Sequence, residues 1–207
     1  MTTALITHAA CLNHDTGPGH PERIARLRSV LQALETDEFK ALRREEAPRA
    51  ELDALHRMHH EDYVAAFFAA VPQQGFEALD ADTVVSPGSG EAALRAAGAL
   101  VKGVDLVMSG LVQNVFCAVR PPGHHAEPGH AMGFCIFNNV AIGAAHAREK
   151  HGIQRVAVVD FDVHHGNGTQ DMFAPHAEMF YASCHQSPLY PGTGSPRETG
   201  IAHNIVN

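Results

Sequence analysis

The sequence predicts an α/β domain built on a parallel sheet with helices on both faces. Two observations carry this. Short apolar runs alternate along the chain with longer stretches of helical periodicity. The run RVAVVDFD (155–162) is apolar on both faces, as suits a parallel strand covered on each side. A third observation points to where chemistry would sit: two His-rich segments begin at the ends of predicted strands, the place where such sheets bind ligands.

The elements follow in order. TALIT (3–7) reads as a first strand, and a loop with Gly17, Pro18 and Gly19 leads to Pro21 at the first turn of a helix. Ile24, Leu27, Val30, Leu31 and Leu34 then recur at helical spacing. Residues 61–70 read as a short helix, and 91–108 as a longer one with Leu94, Ala97, Val101, Val104 and Met108 on its stripe. NVFCAVR (114–120) is strand-like and is ended by Pro121, Pro122 and Gly123. Asn138 is placed to cap a helix that runs to Gly152, a good C′ residue. Residues 155–162, 179–186 and 201–207 read as further strands.

Composition narrows the class. The 207 residues suit one domain, with 45% hydrophobic and 18% charged residues. No apolar stretch reaches the length of a membrane helix, and MTTALITHAA has no basic region ahead of an apolar one, so no secretory signal is read. Cys11, Cys117, Cys135 and Cys184 form no CxxC pair and read as reduced thiols, which suggests a cytoplasmic protein. A balance of 15 basic against 23 acidic residues argues against direct nucleic-acid binding and is compatible with a cationic substrate. The 16 histidines beside no tryptophan are the one oddity.

Asp160, Asp162 and His164 sit two residues apart, so in an extended chain they share one face. A carboxylate and an imidazole so placed can share a divalent metal, with zinc the first candidate for mixed N/O ligands, and the third group can stand behind them as a partner. Gly166, Asn167 and Gly168 allow a tight turn beside them. The other reading is an acidic loop capping the next helix. In RPPGHHAEPGHAMGF (120–134), the stiff Pro121–Pro122 pair presents His124 and His125 together. Two imidazoles can act as base and acid when their partners differ, and Asp160 and Asn167 differ in charge. The plainer reading is a polar loop with incidental histidines. Phe134 after Gly133, and Tyr190 before Pro191, are rings on loops that either face each other across a slot for a linear alkyl chain or are ordinary core. His56, His59 and His60 read as solvated or structural; His146, His151 and His176 read as exposed; Glu91 and Arg95 read as a solvated face.

PPGHHA, GFCIFNN, VVDFDVHHGNGTQ and YPGTG, in this order, resemble the histone deacetylase superfamily. HPERIARL (20–27) and SPGSGEAALRAAGALV (86–101) resemble its class II branch, which includes bacterial histone deacetylase-like proteins and acetylpolyamine amidohydrolases. The resemblance implies an arginase–deacetylase type fold and zinc-dependent hydrolysis of linear amides, releasing acetyl from acetyl-lysine or an acetylpolyamine. It implies zinc ligation by Asp162 and His164, catalysis by His124 and His125 with Asp160 and Asn167 as their partners, and channel walls from Gly133, Phe134 and Tyr190. It also implies a structural potassium ion held by Asp160, Asp162, His164, Ser183 and Cys184. The family's third zinc ligand, an Asp, and its carbonyl-polarising Tyr lie on later segments. The 207 residues therefore read as one C-terminally incomplete deacetylase domain, a fragment lacking the last strands and inactive alone. A two-metal ureohydrolase needs a DxHxD run, and Gly166 stands where its last Asp should be. A non-catalytic binding protein on the same fold is the remaining alternative.

Overall fold

The computed structural model describes residues 2–207. The first sheet is formed by β1 (Thr3–Thr7), β2 (Arg43–Glu46) and, later in the chain, β5 (Asn114–Cys117), all parallel in the order β2-β1-β5. β1 alternates its faces. Ala4 and Ile6 pack with Ala99 and Leu106 of the long helix α4 (Ser89–Met108), whereas Leu5 packs with Leu27 of α1 (Ile24–Ala33). Helices thus cover this sheet on both sides, as the apolar alternation predicts.

Between these elements lie α2 (Leu52–His56), α3 (Glu61–Ala70) and a small antiparallel pair, β3 (Glu77–Ala78) and β4 (Val84–Val85). After β5 come α5 (Asn139–His151), β6 (Val156–Asp160), α6 (Asn167–Phe173), β7 (Met179–Ser183) and β8 (Ile205–Val206). The last three strands make a second parallel sheet, β6-β7-β8. Its inner face packs Met179, Tyr181 and Ile205 on Ala141 and Ala144 of α5 and on Met172 and Phe173 of α6. The other face departs from the sequence expectation. Val159 is 66% exposed and Phe161 89% exposed, so among the described residues this sheet is covered on one side only. β5 and β6 are not paired; a cleft of about 600 Å³ opens beside their ends, lined by Cys117, Val158, Val159 and Phe161 among others.

Several local expectations need correction. Pro21 does not open α1, which starts at Ile24 with Arg23 as its N-cap. On α4 the fully buried positions are the small ones, Ala92, Ala93, Ala96, Ala97, Ala99 and Gly103, while Met108 is exposed. Small residues win because neighbouring backbone comes so close: a Cβ on Gly98 would collide with the Pro48 carbonyl. β2, read from Arg43-Arg44-Glu45-Glu46, has no apolar signal at all and is held by its parallel pairing with β1. Arg95 is less solvated than a free surface residue, because it holds both Glu91 and the Ala47 carbonyl. The α5 caps are as expected: the Asn138 side chain accepts from the Ala141 amide, and Gly152 is left-handed at φ 67°.

One buried ion pair ties the first loop to the His-rich loop. Arg120, 3% exposed, donates to both oxygens of Glu22, 1% exposed, and to the carbonyls of Cys11 and His14. A charge this deep is tolerated only with its partner, so Glu22→Gln should cost about 3–5 kcal/mol. For a chain of this size that lowers the thermal midpoint on the order of 10 °C. An unchanged midpoint in a melting scan would show that the pair contributes nothing to stability.

Candidate active site

The site grows from the ends of β5 and β6. After β5, the segment Arg120–Gly123 turns over the sheet and delivers His124 and His125 side by side, ring centroids 4.0 Å apart. The turn is tight at Gly123, where a Cβ would press on the Asn139 amide at 2.7 Å. From β6 comes Asp160, whose Oδ2 accepts from His124 Nδ1 at 2.9 Å and from the Tyr181 hydroxyl at 3.0 Å. Burial works to raise the Asp160 carboxyl, but the His124 hydrogen bond and charge, with the Asp162 amide, outweigh it and hold it below its ordinary value. His125 Nδ1 lies 2.8 Å from Asn167 Oδ1, at the start of α6. Burial, and then the neighbouring His124, push His125 down to about 4, so it is neutral at pH 7.

Asp162 and His164 come together by a different route from the one an extended strand would give. β6 ends at Asp160, and beyond it each carboxylate caps an amide two residues on. Asp160 Oδ1 accepts from the Asp162 amide at 3.1 Å, and Asp162 Oδ1 accepts from the His164 amide at 2.8 Å. These Asx turns leave Asp162 Oδ1 and His164 Nδ1 3.1 Å apart on partly exposed side chains. For a metal held at about 2.0–2.2 Å by N and O ligands, that spacing is close to one edge of a tetrahedron. The donor chemistry therefore fits zinc at two of its positions.

Phe134, with φ 68°, and Gly133, with φ 57°, turn sharply beneath His125; a Cβ on Gly133 would run into the His125 ring. Phe134 stacks edge-on with His20, centroids 4.9 Å apart. Tyr190 stands edge-on to His125 at 5.1 Å and to His164 at 6.2 Å. One cavity of about 540 Å³ is lined by His124, His125, Phe134, Asp162, His164 and Tyr190, together with Gly133. Ser183 lies opposite Asp160 in the β6–β7 register, and the Cys184 amide donates to the Asp160 carbonyl at 2.9 Å.

Three contributors were not legible as site residues. Asp82 Oδ1 accepts from the Gly133 amide at 3.0 Å and from the Thr83 hydroxyl at 2.9 Å, which orients the turn under Phe134. Glu127 Oε1 accepts from Asn167 Nδ2 at 2.9 Å. Glu22 lines the cavity with Arg120 behind it. Glu127 follows His125 by two residues in the loop already singled out, and Glu22 lies in HPERIARL, but nothing local signals which distant residue each of the three meets. His59 is buried and accepts the Asn138 amide at 2.9 Å, and His165 is tied to Thr193 and Gln170, so both are structural.

His146, expected on the surface, is 8% exposed. Its Nε2 and that of His151 each lie 2.7 Å from Asp105 Oδ1, in the one three-residue group of metal-donor type among the described residues. Arg57 Nη1 donates to His146 Nδ1 at 3.2 Å. Arginine only donates, so the His146 proton sits on Nε2 and points at Asp105. The group is a hydrogen-bonded clasp between α4 and α5, and no residue of it reaches the cavity.

The family profile described as Histone deacetylase domain matches residues 20–207. The chain belongs to the histone deacetylase family. A probable deacetylase of Archaeoglobus fulgidus is 37% identical over 97% of the chain and 56% of its own length. A histone deacetylase-like amidohydrolase of Pseudomonas aeruginosa is 36% identical over 91% of the chain and 54% of its own length. The crystal structure of the HDA15 HD domain superposes with a TM-score of 0.94 at 34% identity, covering the whole chain and 61% of that domain. The fold is therefore the arginase–deacetylase type, and the chain spans a little over half the length of these relatives. Among the described residues no helix is long and apolar enough to cross a membrane.

Proposed function

We propose that these residues form most of the active site of a zinc-dependent amidohydrolase that removes acetyl from an acetylated amine, either a protein lysine or a small polyamine. The observation that supports it is one cavity lined by His124, His125, Asp162 and His164 together, with Asp160 and Asn167 bonded to the two catalytic imidazoles from behind. Zinc held by Asp162 and His164 supplies, when bound, polarisation of the scissile carbonyl and acidification of a water. Gly133, Phe134 and Tyr190 line the approach and favour a linear alkyl chain. His125, neutral at pH 7 and buried, takes a proton at its free Nε2. His124, whose Nδ1 donates to Asp160, stands beside His125 as the second proton-handling group, and the proton that His125 takes up is the one delivered to the leaving amine. Potassium fits the reading as a structural ion beside Asp160, Asp162, His164, Ser183 and Cys184, where the β6–β7 register brings Ser183 next to Asp160. We place the reaction in the cytoplasm.

The 207-residue chain by itself is read as inactive. Asp162 and His164 supply two ligands where a catalytic zinc takes three from the protein. Two of the three tyrosine hydroxyls are also committed: Tyr63 donates to the Ile136 carbonyl at 2.6 Å and Tyr181 to Asp160 at 3.0 Å. Losing one oxyanion donor costs about 10²–10³ in rate. The experiment compares the 207-residue chain with a form extended to the length of its relatives, on an acetyl-lysine peptide and an acetylated polyamine, with zinc measured by elemental analysis. Chelator-sensitive turnover by the extended form alone is the expected result. Metal-free, inert protein in both cases would favour a non-catalytic binding role, and robust turnover by the short chain would mean that its 207 residues complete the site.

A further inference from the structure

The amide of Asn167 can present either its oxygen or its nitrogen to His125, and the choice sets which ring nitrogen carries the proton. With Oδ1 turned to His125 Nδ1, as here, the ring must donate and Nε2 is left free. With the amide reversed, Nδ1 would have to accept and Nε2 would carry the proton, which would abolish its use as a base.

We infer that Glu127 is a positioning residue that locks the Asn167 amide in the first orientation and so fixes the tautomer of His125. Asn167 Nδ2 donates to Glu127 Oε1 at 2.9 Å, and its other near neighbours are Met132 Sδ at 3.3 Å and the His125 carbonyl at 3.4 Å. All three only accept. Glu127 is the charged one, and a hydrogen bond to a carboxylate is about twice as strong as a neutral one. Turning the amide would set Oδ1 against the carboxylate, the carbonyl and the sulfur together. Glu127 is itself held: its amide donates to the His130 carbonyl at 3.0 Å, closing the turn Glu127–His130. Asn167 is 8% exposed and Glu127 is half-buried, so water does not readily replace the contact.

The inference rests on His125 being the proton-accepting group of the proposed reaction, but its test does not use turnover. The tautomer is read from long-range 1H–15N correlations of the imidazole nitrogens in histidine-labelled 207-residue chain. The His125 signal is assigned by its loss in His125→Gln. The expected wild-type state is protonated at Nδ1. Glu127→Gln, which keeps an acceptor, should retain that state. Glu127→Ala should shift the Nδ1–H to Nε2–H ratio by about tenfold toward Nε2–H, the scale set by one lost charge-assisted hydrogen bond. Adding Asn167→Asp to the alanine variant should restore Nδ1–H, because a carboxylate cannot donate. That rescue is not expected of a residue that only supports the loop. A wild-type ring protonated at Nε2 would overturn the lock outright, whether or not any variant folds. So would a tautomer ratio unchanged in Glu127→Ala with the other histidine signals in place. Because turnover is not measured, a failed deacetylase assay leaves the tautomer result standing, and the reverse also holds.

Discussion

Asp162→Ala is expected to strip zinc from a form of the protein that holds it, weakening binding by at least about 100-fold. Changes to groups merely behind a metal ligand already cost 10–100-fold, and here a ligand itself goes. The carboxylate does two things at once in this structure. Its Oδ1 stands 3.1 Å from His164 Nδ1, within reach of one shared ion, and it caps the His164 amide at 2.8 Å. Alanine removes both, so His164 loses its companion ligand and the turn that aims it. Asp162→Asn separates the two effects, since an amide oxygen still accepts from the His164 backbone but is a poorer, neutral ligand. Zinc stoichiometry by elemental analysis after dialysis is the measurement. A stoichiometry that stays at the wild-type value in the alanine variant would show that the ion sits elsewhere.

His125→Ala should lower turnover by about 10²–10⁴ in an active, extended form while leaving zinc in place, the range for a positioned acid–base group. His125 is suited to take a proton because its imidazole is neutral near pH 7, held down to about 4 by burial and then by His124. It is oriented by Asn167 at 2.8 Å and walled by the Tyr190 ring at 5.1 Å. The same cavity that alanine would widen also seats the substrate chain, so both kcat and KM should be recorded. Loss of zinc together with activity would make His125 a ligand and exchange its role with that of His164.

The alternation of elements was legible because it is written locally. Ile24 and Leu27 of α1, the span of α4 and the Asn138 and Gly152 ends of α5 each follow from side-chain spacing or from a cap, whereas the small-residue face that α4 buries is not the stripe its spacing suggested. β2 was not, because Arg43–Glu46 has the composition of an exposed loop and becomes a strand only by pairing with β1. His146 was misread for the same kind of reason. Its burial comes from Arg57 and Asp105, 89 and 41 residues away.

By itself the sequence determined which residues gather at the strand ends. His124–His125 and Asp160–His164 are contiguous runs, so their proximity to each β-strand end is covalent, and the family resemblance follows from those runs. The tertiary structure alone decided how they meet. It replaced an extended Asp160–His164 face with successive Asx turns. It also brought Glu127 against Asn167, Asp82 against Gly133 and Glu22 against Arg120. The physical reason is that a strand's period and a turn's caps depend on neighbours in sequence. A hydrogen bond between loops depends on which strands pair, and pairing is settled only when buried surface is summed over the whole chain.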